Sequence, residues 1–140
     1  SKPGLLVRWF SGDTRGLLWS NTLNLIDLNG NNIISLPFKT APNKCAINNS
    51  EMYCAVAVPI NQSVISADSL LNQYLKRGDY HRDEFYFISL LDLKFNLLVP
   101  ISIFNSEFAN LNIDADHLEV FNDQLLFINR YDKKLYSLEL

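Results

Sequence analysis

Glycine, histidine, cysteine and methionine are all scarce here: five, two, two and one in 140 residues. Each scarcity removes a class of chemistry. No glycine-rich run is present to cradle a phosphate, and no serine stands in a Gly-x-Ser-x-Gly nucleophile setting. His81 and His117, far apart in sequence, give a general base few candidates. Cys45 and Cys54 have neither a Cys-x-x-Cys partner nor a nearby histidine, so a metal site is not expected. The twelve basic residues are scattered, with Lys76-Arg77 and Lys133-Lys134 the only adjacent pairs, and the net charge is −3. A nucleic-acid partner, which needs a basic face, is therefore not expected. Nothing approaches the roughly 18 consecutive apolar residues of a membrane span. Ser1-Lys2-Pro3-Gly4 has no signal-peptide character, and without an initiator methionine the chain is expected to be processed or part of something longer.

What the sequence does have is strand material. Apolar residues make up 48% of it, with nine Phe and six Tyr, residues that suit a pleated, half-buried surface. Apolar runs alternate with turn residues, which predicts strands at 5–10, 17–28, 32–38, 44–48, 52–58, 84–93 and 96–103, then 117–121, 124–130 and 134–140. Asn29-Gly30-Asn31, Asn122-Asp123 and Tyr131–Lys134 are expected as tight turns, because Asn, Asp and Gly tolerate positive φ. Only 67–76 has helical spacing, through Leu70, Leu71, Tyr74 and Leu75.

The runs repeat. Leu25-Ile26-Asp27-Leu28 and Leu90-Leu91-Asp92-Leu93 are each followed by a turn, a second apolar stretch and a proline, Pro37 or Pro100. Leu135–Leu140 begins a third copy. Hairpins at 45–54 and 118–128 precede the second and third copies. The unit is four antiparallel strands, the blade of a β-propeller. One all-β repeat domain over 1–140 is expected: a partial blade 1 at 5–38, blade 2 at 44–103 with an insertion at 61–82, and a partial blade 3 at 117–140. Propellers need about four blades or more, so the ring would be partial. A β-sandwich is the alternative fold.

The runs Lys44-Cys45 to Tyr53-Cys54-Ala55-Val56, Asp83-Glu84-Phe85-Tyr86-Phe87-Ile88 and Leu126-Phe127-Ile128 to Leu135-Tyr136-Ser137-Leu138 carry a resemblance. They resemble the C-terminal blades of WD40-like, TolB-like bacterial propellers, and most of all uncharacterised propeller proteins of small-genome bacteria. The resemblance spans roughly the last hundred residues and implies blades, not catalysis. The chain departs from the pattern in lacking a glycine in its last turn and the Ser-Pro-Asp-Gly signature of such hairpins.

A turn at Asn49-Ser50 would pair 48 with 51, 47 with 52, 46 with 53 and 45 with 54. Residues 45 and 54 then form a non-hydrogen-bonded pair, whose Cα separation of about 4.5 Å lies near the lower end of what a disulfide bridges. A Cys45–Cys54 disulfide implies an oxidising compartment, the periplasm or the cell exterior. Two buried free thiols are the alternative. The Asp-rich surroundings of His81 (Asp79, Asp83) and His117 (Asp114, Asp116) are read as solvated turns rather than metal or acid–base sites, with the Asp114–Asp116 segment starting the first strand of the last unit. Strand aromatics such as Trp9, Trp19 and Tyr86 are read as core. The insertion, through Tyr74, Lys76, Arg77, Tyr80 and His81, is the expected interaction surface.

These observations make a non-enzymatic protein-binding or scaffolding module at the cell envelope the leading expectation, with no catalytic residue, cofactor or metal. Its partner would be another protein or copies of itself completing a ring. The alternatives are a fragment of a propeller enzyme whose active site needs absent blades, and a self-assembling structural piece.

Overall fold

The computed structural model describes residues 6–10, 12–37, 39–58, 82–91, 99–101 and 113–140. The fold is all-β. Strands β1 (Leu6–Trp9), β2 (Gly16–Trp19), β3 (Leu23–Ile26) and β4 (Asn32–Ser35) form a first antiparallel sheet in chain order. After a 3₁₀ turn at Pro42–Lys44, β5 (Cys45–Asn48), β6 (Glu51–Val58), β7 (Arg82–Ser89) and β8 (Val99–Ile101) form the second. The third holds β9 (Ala115–Phe121), β10 (Gln124–Asn129) and β11 (Leu135–Glu139). Among the described residues, no sheet closes on itself.

Turn chemistry sets the hairpins. Asn122 and Asp123 both take left-handed φ, 49° and 59°, joining β9 to β10. Asn49 does so at 51°, and the pairs 48:51, 47:52, 46:53 and 45:54 form in the expected register. Gly30, at φ 81°, closes the β3–β4 turn, where the Asp27 carboxylate accepts from the Asn29 and Asn31 amides.

One expectation fails here. The run 17–28 is not a single strand, because Asn21 at φ 82° turns the chain between β2 and β3. The first sheet therefore has four strands where three were expected. The signal was Ser20-Asn21-Thr22, a three-residue polar interruption with no glycine. Arg82, assigned to the insertion, is the first residue of β7. The rest of the insertion, 61–81, and the 67–76 helix lie outside the described residues. Among the described residues, no helix is long and apolar enough to cross a membrane.

The sheets stack in three layers, and side-chain alternation decides which residues fill each gap. Leu17, Trp19, Leu23, Leu25 and Leu36 of the first sheet meet Cys45, Met52, Cys54 and Ile88 of the second. The other face of the second sheet, with Ala46, Tyr53, Ala55 and Phe85, meets Leu118, Leu125 and Phe127 of the third. Phe127 stands between Phe85 and Tyr136, its ring centroid 5.0 and 5.8 Å from theirs. The middle sheet is thus apolar on both faces, while each end sheet buries one.

Candidate functional site

Two groups of charged side chains sit where sheets join. At the first, the guanidinium of Arg8 on β1 donates to the carbonyls of Pro42 (3.2 Å), Cys45 and Leu118 (2.7 Å), and pairs with Glu119 at 2.7 Å. It also lies over the Phe10 ring, 5.1 Å from the centroid. One side chain on the first strand of one sheet thereby touches the first strands of the other two.

The second place lies between the middle and third sheets. Lys44 and Asp114 each stand immediately before the first strand of their sheet. Lys44 Nζ is 2.7 Å from Asp83 Oδ2 and 2.9 Å from Asp114 Oδ1, and Arg130 is 2.9 Å from Asp114 Oδ2. All four side chains are buried, two cations against two anions. Asp83 Oδ2 also accepts from the Ala115 amide at 2.7 Å, and the Asp83 amide donates to the Ile113 carbonyl at 2.6 Å. Asn129 Oδ1 accepts from the amides of Asp114 and Tyr131 at 3.1 and 3.2 Å. Asp83 Oδ1 is the one buried side-chain oxygen without a hydrogen-bond partner among the described residues.

The electrostatics follow from burial. Loss of water pushes the Asp83 carboxyl up to about 6, against the pull of Lys44, and the neighbouring charge of Asp114 pushes the same way. Burial likewise raises the Tyr131 hydroxyl, helped by Asp114 and Asp83. The network holds the middle and third sheets at a fixed spacing, and Oδ1 of Asp83 is where it can take a proton without disturbing Oδ2. Asp83 is therefore a buried strand residue rather than part of a solvated turn, and Asp114, expected at the start of the last unit's first strand, stands immediately before β9 and is buried as well. Each is drawn inward by a cation from a distant element, a pairing that no local pattern announces.

The remaining expected residues fall in different places. Cys45 and Cys54 form a disulfide with Cα atoms 4.1 Å apart. Tyr74, Lys76, Arg77, Tyr80 and His81, with Asp79, lie outside the described residues. His117 is exposed, takes φ 53° at a bulge in β9 and places Nδ1 3.2 Å from Asp116. Trp19 is core, but Trp9 is half exposed on the outer face of the first sheet. Gly16 sits beneath Trp9, where a Cβ would come within 2.6 Å of the indole. Tyr86 is half buried and donates to Glu84 at 2.8 Å. No group of three or more His, Cys, Asp or Glu could hold a metal among the described residues.

Two features of the outer surface went unread in the sequence. The third sheet leaves Phe121, Ile128 and Leu135 exposed on its outer face, and the first sheet leaves Val7 and Trp9 exposed. A pocket of about 270 Å³, lined by Glu51, Tyr53, Phe87, Glu139 and Leu140, opens between the middle sheet and the end of β11. Comparison of the chain with protein-family models, curated proteins and solved structures finds no match.

Proposed function

We propose that the chain is a non-enzymatic protein-binding or scaffolding module of β-propeller type, its sheets being successive blades, working at the cell envelope. The observation that carries this reading is the pair of open apolar faces: Val7 and Trp9 at one end of the stack, Phe121, Ile128 and Leu135 at the other. The middle sheet supports it, because there both faces are covered by neighbouring sheets. An end sheet with one such face bare is built to receive another sheet. Arg8, on the first strand of one sheet and bonded to the first strands of the other two, favours blades over a parallel-layered sandwich, since propeller blades converge on their innermost strands. The disulfide favours an oxidising compartment.

The test is solution mass by light scattering. The 140-residue chain self-associates, its bare faces covering one another, and Trp9→Lys or Ile128→Lys returns it to a monomer. A parent chain that stays monomeric up to high concentration overturns the assignment of these faces as binding surfaces.

A further inference from the structure

The side chains of Lys44, Asp83, Asp114 and Arg130 are shut away from water, with 3%, 0%, 0% and 9% of their surface exposed. Their charges balance, but their hydrogen bonds do not. Asp83 Oδ2 meets both Lys44 Nζ and the Ala115 amide at 2.7 Å, while Asp83 Oδ1 has no hydrogen-bond partner. A buried carboxylate oxygen without a donor is costly. A buried ion pair also carries the desolvation of both its members.

One reaction removes both costs. If Lys44 Nζ condenses with Asp83 Cγ, Oδ1 departs as water and Oδ2 stays as an amide oxygen, still accepting from Ala115. The N–H that remains faces Asp114 Oδ1, which lies 2.9 Å from Nζ. Asp114 Oδ2 keeps Arg130 at 2.9 Å, so the remaining cation and anion stay paired.

The reactants are held for this step. Nζ touches the carboxyl it would attack, in a dry site, which supplies the proximity that amide formation between separate molecules lacks. The Ala115 N–H points at the oxygen where negative charge grows in a tetrahedral intermediate. Burial favours the uncharged Asp83 carboxyl, the form an amine can attack. Arg130 fixes Asp114 from one side, and Asn129 Oδ1 accepts the Asp114 amide at 3.1 Å. The Asp114 carboxylate is thereby kept beside Nζ, placed to carry protons.

We infer that Lys44 and Asp83 form an isopeptide bond after folding, between Nζ and Cγ, with Asp114 as the proton relay. Lys44 starts as an ammonium and Asp83 as a carboxylate. Two of the three Nζ protons pass through Asp114 Oδ1 to Asp83 Oδ1. The first transfer frees the amine to attack Cγ. The second lets the Cγ–Oδ1 bond break, and one water departs. Nitrogen keeps its third proton, no charge is left over, and no oxidant, reductant or cofactor is consumed. The link ties the residue before β5 to β7, beside the disulfide that ties β5 to β6. Once linked, Asp83 no longer titrates, so any pH dependence its carboxyl lends to stability belongs to the chain before condensation.

The test is the intact mass of the folded chain, held near pH 6 for several days and then reduced. The mass falls below that of the sequence by one water, and trypsin no longer cuts after Lys44. Tandem mass spectrometry finds the peptides of Lys44 and Asp83 joined. Lys44→Arg keeps a cation at the seam and retains the full mass. Asp114→Asn links at least about a hundredfold more slowly. The mass of the parent is decisive whether or not either variant folds. Three outcomes overturn the inference: a parent of full mass, a lost water with Lys44 still cleaved, or a link from Lys44 to any residue but Asp83.

Discussion

The middle and third sheets are built on the same meander, yet their neighbours cover them to different extents. The middle sheet has four strands, a disulfide and two covered faces. The third has three strands among the described residues, with Phe121, Ile128 and Leu135 facing outward. Residues of the same type therefore carry different weight according to which neighbour covers them. The ion pairs follow the same division. Lys44, Asp83, Asp114 and Arg130 are buried at the seam joining the two sheets, while the carboxylate of Glu119, on the bare side of the third, is exposed.

Removing a partner at the seam breaks the contrast most severely. Lys44→Met leaves two buried carboxylates facing each other and costs about 3–5 kcal/mol, read from urea unfolding. Glu119→Gln, which removes an exposed partner, costs at most about 1 kcal/mol. Within the third sheet, Phe127→Ala costs about 3–5 kcal/mol because the ring is enclosed between Phe85 and Tyr136. Phe121→Ala, on the bare face, changes stability by no more than about 0.5 kcal/mol. Equal losses at the two phenylalanines would mean that the bare face is covered in solution. Reduction of Cys45–Cys54, which lie nine residues apart, lowers stability by about 2–3 kcal/mol, seen as a shift of the unfolding midpoint with reductant.

The seam also sets a pH dependence. Asp83 titrates near 6 when folded and at an ordinary carboxylate value, 3.8, when unfolded, so between those values the folded chain holds more protons. Its contribution is fully present below the unfolded value and is lost as pH rises through 6. From pH 4 to pH 6 the parent loses roughly 2 kcal/mol from this group. Asp83→Asn removes that slope. Parallel stability–pH curves for parent and variant would place the titration elsewhere.

The meander was legible because it is local. Polar turn residues and apolar runs alternate along the chain, and the Cys45–Cys54 register follows from one two-residue turn. The β2–β3 turn was missed because Ser20-Asn21-Thr22 holds no glycine and lies in a run where Asn24 and Asp27 also alternate with apolar residues. The ionic seam was missed for a different reason. Its members lie up to 86 residues apart, from Lys44 to Arg130, and each alone reads as an ordinary solvated charge. Trp9 was read as core by residue type, but its strand turns it to the outer face, where Gly16 makes room for it. The pocket beside β11 has no sequence signature, because it is made by the spacing of two sheets.

Arg8 bears on the order in which the chain acquires its structure. Its guanidinium meets the Leu118 carbonyl, a partner 110 residues further along. During synthesis at about 5–20 residues per second, that partner emerges roughly 5–20 s after Arg8 does. Until then a cation on β1 has only part of its final set of acceptors, and the first sheet is held by its own meander and by the middle sheet, whose last strand ends at residue 101. Contacts of such long sequence separation slow folding. The junction of the three first strands is accordingly completed last, and a ribosome-bound nascent chain stopped short of residue 118 should hold its first sheet without it.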